Sequence, residues 1–417
     1  MKIYLPQDVK LIIDKIYEKG YEAFIVGGCV RDSILGITPN DYDITTNAKP
    51  KEIIDIFKDF KIIDNGIKHG TVGIIIESKV YEITTYRIEG EYENNRRPKN
   101  VKFTLNIEDD LKRRDFTINA IAYNDKSGII DKFNGIKDIK NKTLKTVGNP
   151  DERFKEDGLR LIRAIRFSSK LNFKIEDKTL KSIYKNVGII KNISKERITD
   201  EFTKMILSDK PQDILLLYKT GIFKSIGISS YINKEEYKYL ERELQALSNC
   251  EDSLVKRMAM LEYIIRKNKD LSKSIIDNLV YSNKLKKDCN ILVDCMLKDN
   301  IEVNSIEIKL LLNKVGPEKL IESLNLKKIY YNNYFSRIEK RNSVLNNIFV
   351  IDKILKKILE IENRKECYKL KDLDINGRDL EKLGYKGKDI GKTLNKLLNK
   401  VIENPILNKK ESLINLL

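Results

Sequence analysis

Histidine is almost absent from this chain of 417 residues: His69 is the only one. That excludes a zinc site built on several imidazoles and a histidine-rich metal phosphohydrolase segment. Its setting, Lys68-His-Gly-Thr71, reads as a turn with a structural role. Cysteine is sparse as well. The five cysteines, Cys29, Cys250, Cys289, Cys295 and Cys367, are odd in number, scattered and never spaced Cys-x-x-Cys. A disulfide framework is therefore not expected, and a reducing cytoplasm fits. No run of about 18 apolar residues occurs, so no membrane span is expected. The opening Met-Lys-Ile-Tyr-Leu-Pro lacks the long apolar core of a signal peptide. Internal repeats and low-complexity linkers are also missing. Acidic residues are outnumbered, 62 against 79 basic, leaving a net charge of +17. An excess of that size favours a polyanionic partner; a merely solubilising lysine-rich surface is the alternative.

Against this background one stretch carries most of the chemistry. Phe24-Ile-Val-Gly-Gly-Cys-Val-Arg-Asp32 is followed closely by Asn40-Asp-Tyr-Asp-Ile-Thr-Thr46. A short apolar run ends in Gly27 and Gly28, whose amides can approach an anion with no Cβ in the way. Asp41 and Asp43 are spaced i, i+2, so a strand over 41–45 would point both carboxylates to one face. Such a pair repels itself unless a divalent cation sits between it and a phosphate. A dinucleotide-binding turn is the competing reading. The chain lacks Gly-x-Gly-x-x-Gly here, and Asp-x-Asp so soon afterwards fits that reading poorly. Arg31-Asp32 reads either as a phosphate arm or as an ion pair at a helix start, and the two are compatible.

The length allows about two to four domains. Residues 8–19 read as a helix with Val9, Ile12, Ile13 and Ile16 on one side. Segments 23–26, 41–45, 71–77, 80–86 and 101–105 read as strands. Residues 89–100 are charged, contain Pro98 and show no period, so they read as a mobile loop. After Pro150 strand signals nearly vanish and short helices follow one another to the end.

These residues resemble the first motif of the nucleotidyltransferase superfamily to which DNA polymerase beta belongs. More narrowly, they resemble the class II (bacterial-type) tRNA nucleotidyltransferase/poly(A) polymerase family. The likeness continues in order: Glu108-Asp-Asp-Leu-Lys-Arg-Arg-Asp-Phe-Thr-Ile-Asn-Ala120, then Asp131-x-x-x-Gly135-x-x-Asp138-Ile139. Glu156-Asp157-x-x-Arg160-x-x-Arg163-Ala-x-Arg166-Phe167 and Ser194-x-Glu196-Arg197-x-x-x-Glu201 follow, and Ile375-Asn-Gly-Arg-Asp-Leu380 through Gly391 resembles the family's tail. Lys68-His-Gly-Thr-Val72 with Tyr81-Glu-Ile-Thr-Thr85 is more similar to the CCA-adding branch.

The resemblance implies an α+β protein. A small mixed α/β nucleotidyltransferase head (1–140) would be followed by an all-helical neck (141–205), body (206–300) and tRNA-binding tail (301–417). It implies that Asp41 and Asp43 hold two Mg²⁺ ions, with Glu82 as third carboxylate or as a solvated strand residue. Gly28 and Arg31 would face the triphosphate, Arg113 would contact the nucleotide, and Asp115 and Asn119 would be scaffold. Asp157 and Arg160, sharing a helix face at i, i+3, would read the base. Arg163 and Arg166 would reach phosphates; for the Asp157/Arg160 pair an ordinary i, i+3 surface salt bridge is the plain reading of the spacing. Gly384-Tyr-Lys-Gly387 reads either as a phosphate cradle or as a helix C-cap and turn.

The implied reaction is CCA addition to the tRNA 3′ end from CTP and ATP. Poly(A) synthesis, partial CC or A addition, and non-catalytic RNA binding are the alternatives. No protein partner is implied. The 89–100 loop is expected to re-aim the Asp157/Arg160 pair between C and A addition.

Overall fold

The computed structural model describes residues 2–64, 66–90, 92–93, 95, 97–229, 233–267, 274–298, 301–333 and 341–417. The chain divides into two compact units, 1–232 and 233–417.

The first unit opens with helix α1 (Gln7–Glu18), which buries Val9, Ile12, Ile13 and Ile16 on one face. Strand β1 (Ala23–Val26) follows, buried throughout, and leads through Gly27 into α2 (Gly28–Ile34). Next come β2 (Ile44–Thr46), α3 (Pro50–Ile56), β3 (Lys61–Ile63), β4 (Thr71–Ile76) and β5 (Lys79–Thr85). Between β3 and β4, His69 is exposed at the end of a short 3-10 turn that Gly70 closes at φ +85°.

Strands β6 (Arg87–Glu89), β7 (Tyr92–Glu93), β8 (Arg97–Pro98) and β9 (Val101–Phe103) form an arm: β6 pairs with β9, and β7 with β8. The expected loop over 89–100 is thus laddered in its described part; residues 91, 94 and 96 lie outside the described residues. The ladder inside that span, β7–β8, is two residues long, too short to show an alternating pattern. Pro98 is tolerated because these ladders have free edges.

Helix α4 (Ile107–Lys112) precedes β10 (Ala122–Asn124), β11 (Gly128–Ile130), α5 (Gly135–Lys140) and β12 (Thr143–Leu144). A seven-stranded sheet runs β11-β10-β1-β2-β5-β4-β3. Only its β2–β5 pairing is parallel, with Ile44 opposite Ile83. Phe24, Val26, Tyr86, Leu111, Ala120, Ala122 and Val147 form one core of this unit.

Helical structure then takes over: α6 (Pro150–Glu156), α7 (Leu159–Leu171), a short β13 (Lys174–Ile175) parallel to β12, α8 (Asp177–Asn186) and α9 (Lys195–Ile206). Asp131, Gly135 and Asp138 prove to be architectural. Asp131 accepts from the Gly135 and Ile136 amides at 2.7 and 2.9 Å. An added Cβ on Gly135 would stand 2.3 Å from the Thr117 carbonyl oxygen. Asp138 accepts from the Thr117 hydroxyl at 2.7 Å. These contacts seat the strip 115–120 against the sheet.

The second unit is helical among its described residues. Its longer helices include Leu254–Lys267, Asn283–Leu297, Ser305–Val315, Pro317–Asn332 and Arg341–Asn363. Ile308, Leu312, Leu320, Leu324, Ile354 and Ile358 pack one core, and Ile375, Leu380, Leu398, Val401 and Leu413 another. Gly384, at φ +92°, ends the helix Gly377–Lys382, and Gly387 at φ +56° leads into Lys388–Glu403, a C-cap followed by a turn. All five cysteines are free and buried. Among the described residues no helix is long and apolar enough to cross a membrane.

Candidate active site

Asp41 and Asp43 do not lie within a strand, contrary to the spacing argument. β2 begins at Ile44. The reason is its partner. β1 ends where Gly27 turns away at φ +83°, so the last pairing contact is the Val26 amide donating to the Asp43 carbonyl at 3.0 Å. Both aspartates are exposed on this extended lead-in. Because Ile44 pairs with Ile83, Glu82 falls beside Asp43, and it too is exposed. The three carboxylates sense one another. The Asp43 carboxyl is raised above its ordinary value, first by desolvation, although one face stays open to water. The Arg114 guanidinium pulls it down, and the charges of Asp41 and Glu82 push it further up. Among the described residues no three His, Cys, Asp or Glu side chains are already drawn into a closed ligand set. Asp41, Asp43 and Glu82 instead form an open row of hard oxygen donors. That donor chemistry fits a hard divalent cation, which would also relieve their mutual repulsion.

The turn beside this row is built by glycine. Gly27, with its φ of +83°, donates its amide to the Ile121 carbonyl at 3.1 Å. A Cβ there would stand 2.9 Å from Arg114 Nη1, so the glycine leaves room for that guanidinium. Gly28 is half-buried as the first residue of α2, and Arg31 sits one turn further on. Arg31 points inward. It is 3% exposed, donating to Asp32 at 2.8 Å and to Asn119 at 2.6 Å. The helix-start ion pair is therefore present, and Arg31 does not face solvent.

Arg113 and Arg114 diverge, and the sequence reading named only the first. Arg113 donates to Asp110 through Nε and Nη2 at 2.9 and 2.8 Å, and to Glu89 of the arm at 3.1 Å. Arg114 reaches the same Asp110 at 3.2 Å and lies over the Gly27 turn near Asp43. Its Nε is buried and lacks a hydrogen-bond partner among the described residues. Arg114 is thus an arginine whose charge acts on the carboxylate row. The available signal was that both arginines follow the end of α4, where neighbouring side chains leave in different directions. Glu89 is desolvated, yet its carboxyl is held below the ordinary value by Arg113, Tyr92 and Arg87. A cleft of 300 Å³ opens here between arm and helices, lined among others by Glu89, Tyr92, Lys112, Arg113, Arg153 and Glu156.

Asp157 and Arg160 do not share one helix. α6 ends at Glu156 and α7 starts at Leu159, so Asp157 sits in the break in extended backbone, and Arg160 in the first turn of α7. Asp157 caps α7 by accepting from the Leu159 amide at 3.0 Å, which is why the chain breaks there. Its carboxylate pairs with Arg197 of α9 at 2.9 Å rather than with Arg160. Arg160, 7% exposed, is held by Glu156 at 2.6 Å and by the Arg113 carbonyl at 2.9 Å. The break is latched to the arm. The Gly158 amide donates to the Asn95 carbonyl at 3.0 Å, the Asn95 side chain donates to the Lys155 carbonyl, and Asn192 donates to Asn95 at 2.8 Å.

Further along α7, Arg163 donates twice to Asp115, at 2.8 and 2.6 Å, and Arg166 pairs with buried Glu201. Arg166, expected to reach a phosphate, is 6% exposed and lies in the packed face against α9. Burial alone would raise the Asp115 carboxyl, but Arg163, Arg160 and Asn119 outweigh it and hold it down at about 2.

A mixed sheet with an open carboxylate row beside a Gly-Gly turn, backed by arginine-rich helices, defines a nucleotidyltransferase. Family models agree along the chain. Residues 23–145 match "Poly A polymerase head domain". Residues 172–227 match "Probable RNA and SrmB-binding site of polymerase A", and 253–417 match "tRNA nucleotidyltransferase domain 2 putative". The chain is 37% identical to a CCA-adding enzyme of Ligilactobacillus salivarius over 97% of its own length and 94% of that protein. It is 34% identical to one from Enterococcus faecalis, over 97% and 93%. In structure it is similar to the Bacillus stearothermophilus CCA-adding enzyme in complex with CTP, with TM-score 0.74, 28% identity and coverage of 97% and 94%. The chain belongs to the class II CCA-adding enzyme family. Nucleotidyltransferases of this family use a divalent metal.

Proposed function

We propose that this protein transfers CMP twice and AMP once, from CTP and ATP, to the 3′ end of tRNA, releasing pyrophosphate at each step. The observation that carries the reading is the row Asp41, Asp43 and Glu82 beside the Gly27–Gly28 turn in a chain of this family. Asp41 and Asp43 would hold two Mg²⁺ ions, with Glu82 flanking them. Bound metal supplies acidification of the attacking 3′-hydroxyl and charge neutralisation at the α-phosphate, which makes a histidine base unnecessary. Gly28 offers a backbone amide to the phosphates, and Arg114 covers the turn. Arg163, the partly open guanidinium of α7, meets the triphosphate, with Arg31 and Arg166 supporting it from within. Arg113 orders the arm through Glu89.

Asp157 and Arg160 select the base. Cytosine and adenine each place an amino donor beside a ring-nitrogen acceptor, and a carboxylate beside a guanidinium complements that order. Uracil and guanine present the reverse and would leave polar groups unpaired. For that engagement Asp157 exchanges Arg197, and Arg160 exchanges Glu156, for the base. The arm, latched at Asn95 to the break before α7, re-aims the pair when adenine replaces cytosine. Head 1–140, neck 141–205, body 206–300 and tail 301–417 form the functional division, the last holding tRNA by phosphate contacts, in the cytoplasm.

The test is product sequencing after incubation with tRNA lacking its last three nucleotides and all four NTPs. Addition of C, C and A followed by a stop is expected. A long A tail, or a stop after C or CC, would overturn the reading.

A further inference from the structure

Phe167 stands where head and neck helices meet, and it is surrounded by positive charge. Its ring is 7% exposed in α7. The guanidinium carbon of Arg166 lies 3.9 Å from the ring centroid, and those of Arg31 and Arg163 each lie 5.2 Å away. Phe116, itself fully buried, meets the ring edge-on at 5.7 Å and 76°. Packing alone asks for an apolar side chain against Phe116. It does not ask for three guanidiniums on one ring, which repel each other at this range.

The counter-charges are distributed unevenly. Asp32 pairs with Arg31, Glu201 with Arg166, and Asp115 with Arg163, while Glu201 reaches Arg163 only at 3.6 Å. Of the three side chains, Arg31 and Arg166 are 4% and 7% exposed, whereas Arg163 is 30% exposed. An anion arriving from solvent therefore meets Arg163 first. When a phosphate draws that guanidinium from Asp115, the carboxylate no longer fixes its place. The ring face still does, because a guanidinium over an aromatic face is held electrostatically whichever anion it pairs with.

We propose that Phe167 is a positioning residue for the triphosphate, its ring face holding Arg163 while that guanidinium trades Asp115 for phosphate oxygens. This rests on the reading of Arg163 as the phosphate contact. It predicts a dependence on ring electron density that a packing role lacks, and the same dependence for every ligand with a triphosphate.

The test replaces Phe167 in the full chain by 4-fluoro-, 3,5-difluoro- and 3,4,5-trifluorophenylalanine, which keep its shape while weakening the negative ring face. Equilibrium binding of CTP, ATP and inorganic triphosphate is measured, with the melting temperature alongside. The three dissociation constants should rise together and stepwise, by about fivefold at the trifluoro ring, while the melting temperature stays constant. Phe167→Tyr should bind as the parent does and Phe167→Leu more weakly than any fluorinated ring. A flat series, weakening confined to CTP and ATP, or weakening that follows the melting temperature would overturn the proposal. If the parent chain binds inorganic triphosphate with this dependence yet adds nothing to tRNA, the transfer reading falls and the Phe167 assignment stands.

Discussion

Asp115 links the strip 115–120 to α7 through Arg163, and replacing it by asparagine tests that link quantitatively. In the folded chain its carboxylate takes two hydrogen bonds from Arg163 and one from the Asn119 amide at 3.2 Å, and it is 8% exposed. Its carboxyl falls from an ordinary 3.8 to about 2. At about 1.4 kcal/mol per tenfold change, that shift is worth about 2 kcal/mol of folding stability. The sign follows from the direction. The folded value is depressed, so the stabilisation is fully present above the unfolded value of 3.8 and is lost as pH falls through about 2. By about pH 3, roughly 1 kcal/mol of it is gone. Asp115→Asn keeps the shape and removes the charge, and Arg163 then faces a neutral amide.

The assay is urea unfolding followed by circular dichroism, on parent and variant, from about pH 7 down to about pH 3. With two compact units the chain can unfold in two steps, so the comparison is made on the step the substitution moves. The variant should lose about 2 kcal/mol near neutrality, and the gap should shrink by about 1 kcal/mol at the acid end. A gap that stays constant with pH would show that asparagine disturbs packing rather than the charge pairing, and no gap at all would remove Asp115 as a stabilising link.

Asp41→Ala and Asp43→Ala should each abolish transfer with tRNA affinity nearly intact; near-normal turnover in either would remove the metal-holding assignment. Asp157→Ala should weaken rejection of UTP and GTP by a factor matching about 1–3 kcal/mol, read from single-nucleotide incorporation, and unchanged selectivity would sink the template. Affinity for tRNA should fall steeply between low and moderate salt because the net charge of +17 implies many phosphate contacts; a flat titration contradicts this. Shortening residues 90–97 should spare C addition and abolish A addition, since Asn95 latches the break at Gly158; joint loss of both additions, or survival of A addition, would dismiss the arm as a lever.

Residue pattern made the backbone of the head legible where one strand or helix buries a clear face. α1, β1, β4 and β5 fall within a residue or two of the expected bounds because apolar periodicity alone decides them. It failed where a boundary depends on a partner distant in sequence. Nothing in Asn40-Asp-Tyr-Asp43 says that its pairing strand ends at Val26, and that ending is what leaves Asp41 and Asp43 on an open lead-in. The arm was legible only in part: β9 lies inside the expected strand 101–105, whereas β7 and β8 are two residues each, too short to show a period.

Side-chain direction was harder to read than element position. The i, i+3 spacing of Asp157 and Arg160 is a helical signal only if the helix is continuous, and Asp157 itself stops α6 by capping α7. Charge then settles the partners. A buried guanidinium needs compensation nearby, so Arg160 takes Glu156, Arg166 takes Glu201, and Arg31 takes Asp32 and Asn119. Two arginines stand apart from that set: Arg163, paired with Asp115 yet still partly open, and Arg114, whose buried Nε has no hydrogen-bond partner among the described residues. A sequence motif rich in arginine names the residues that neutralise phosphate and those that merely hold the site together in the same letters. Burial and pairing separate them: Arg31 and Arg166 are buried on internal carboxylates, while Arg163 stays partly open and Arg114 lies over the Gly27 turn near Asp43.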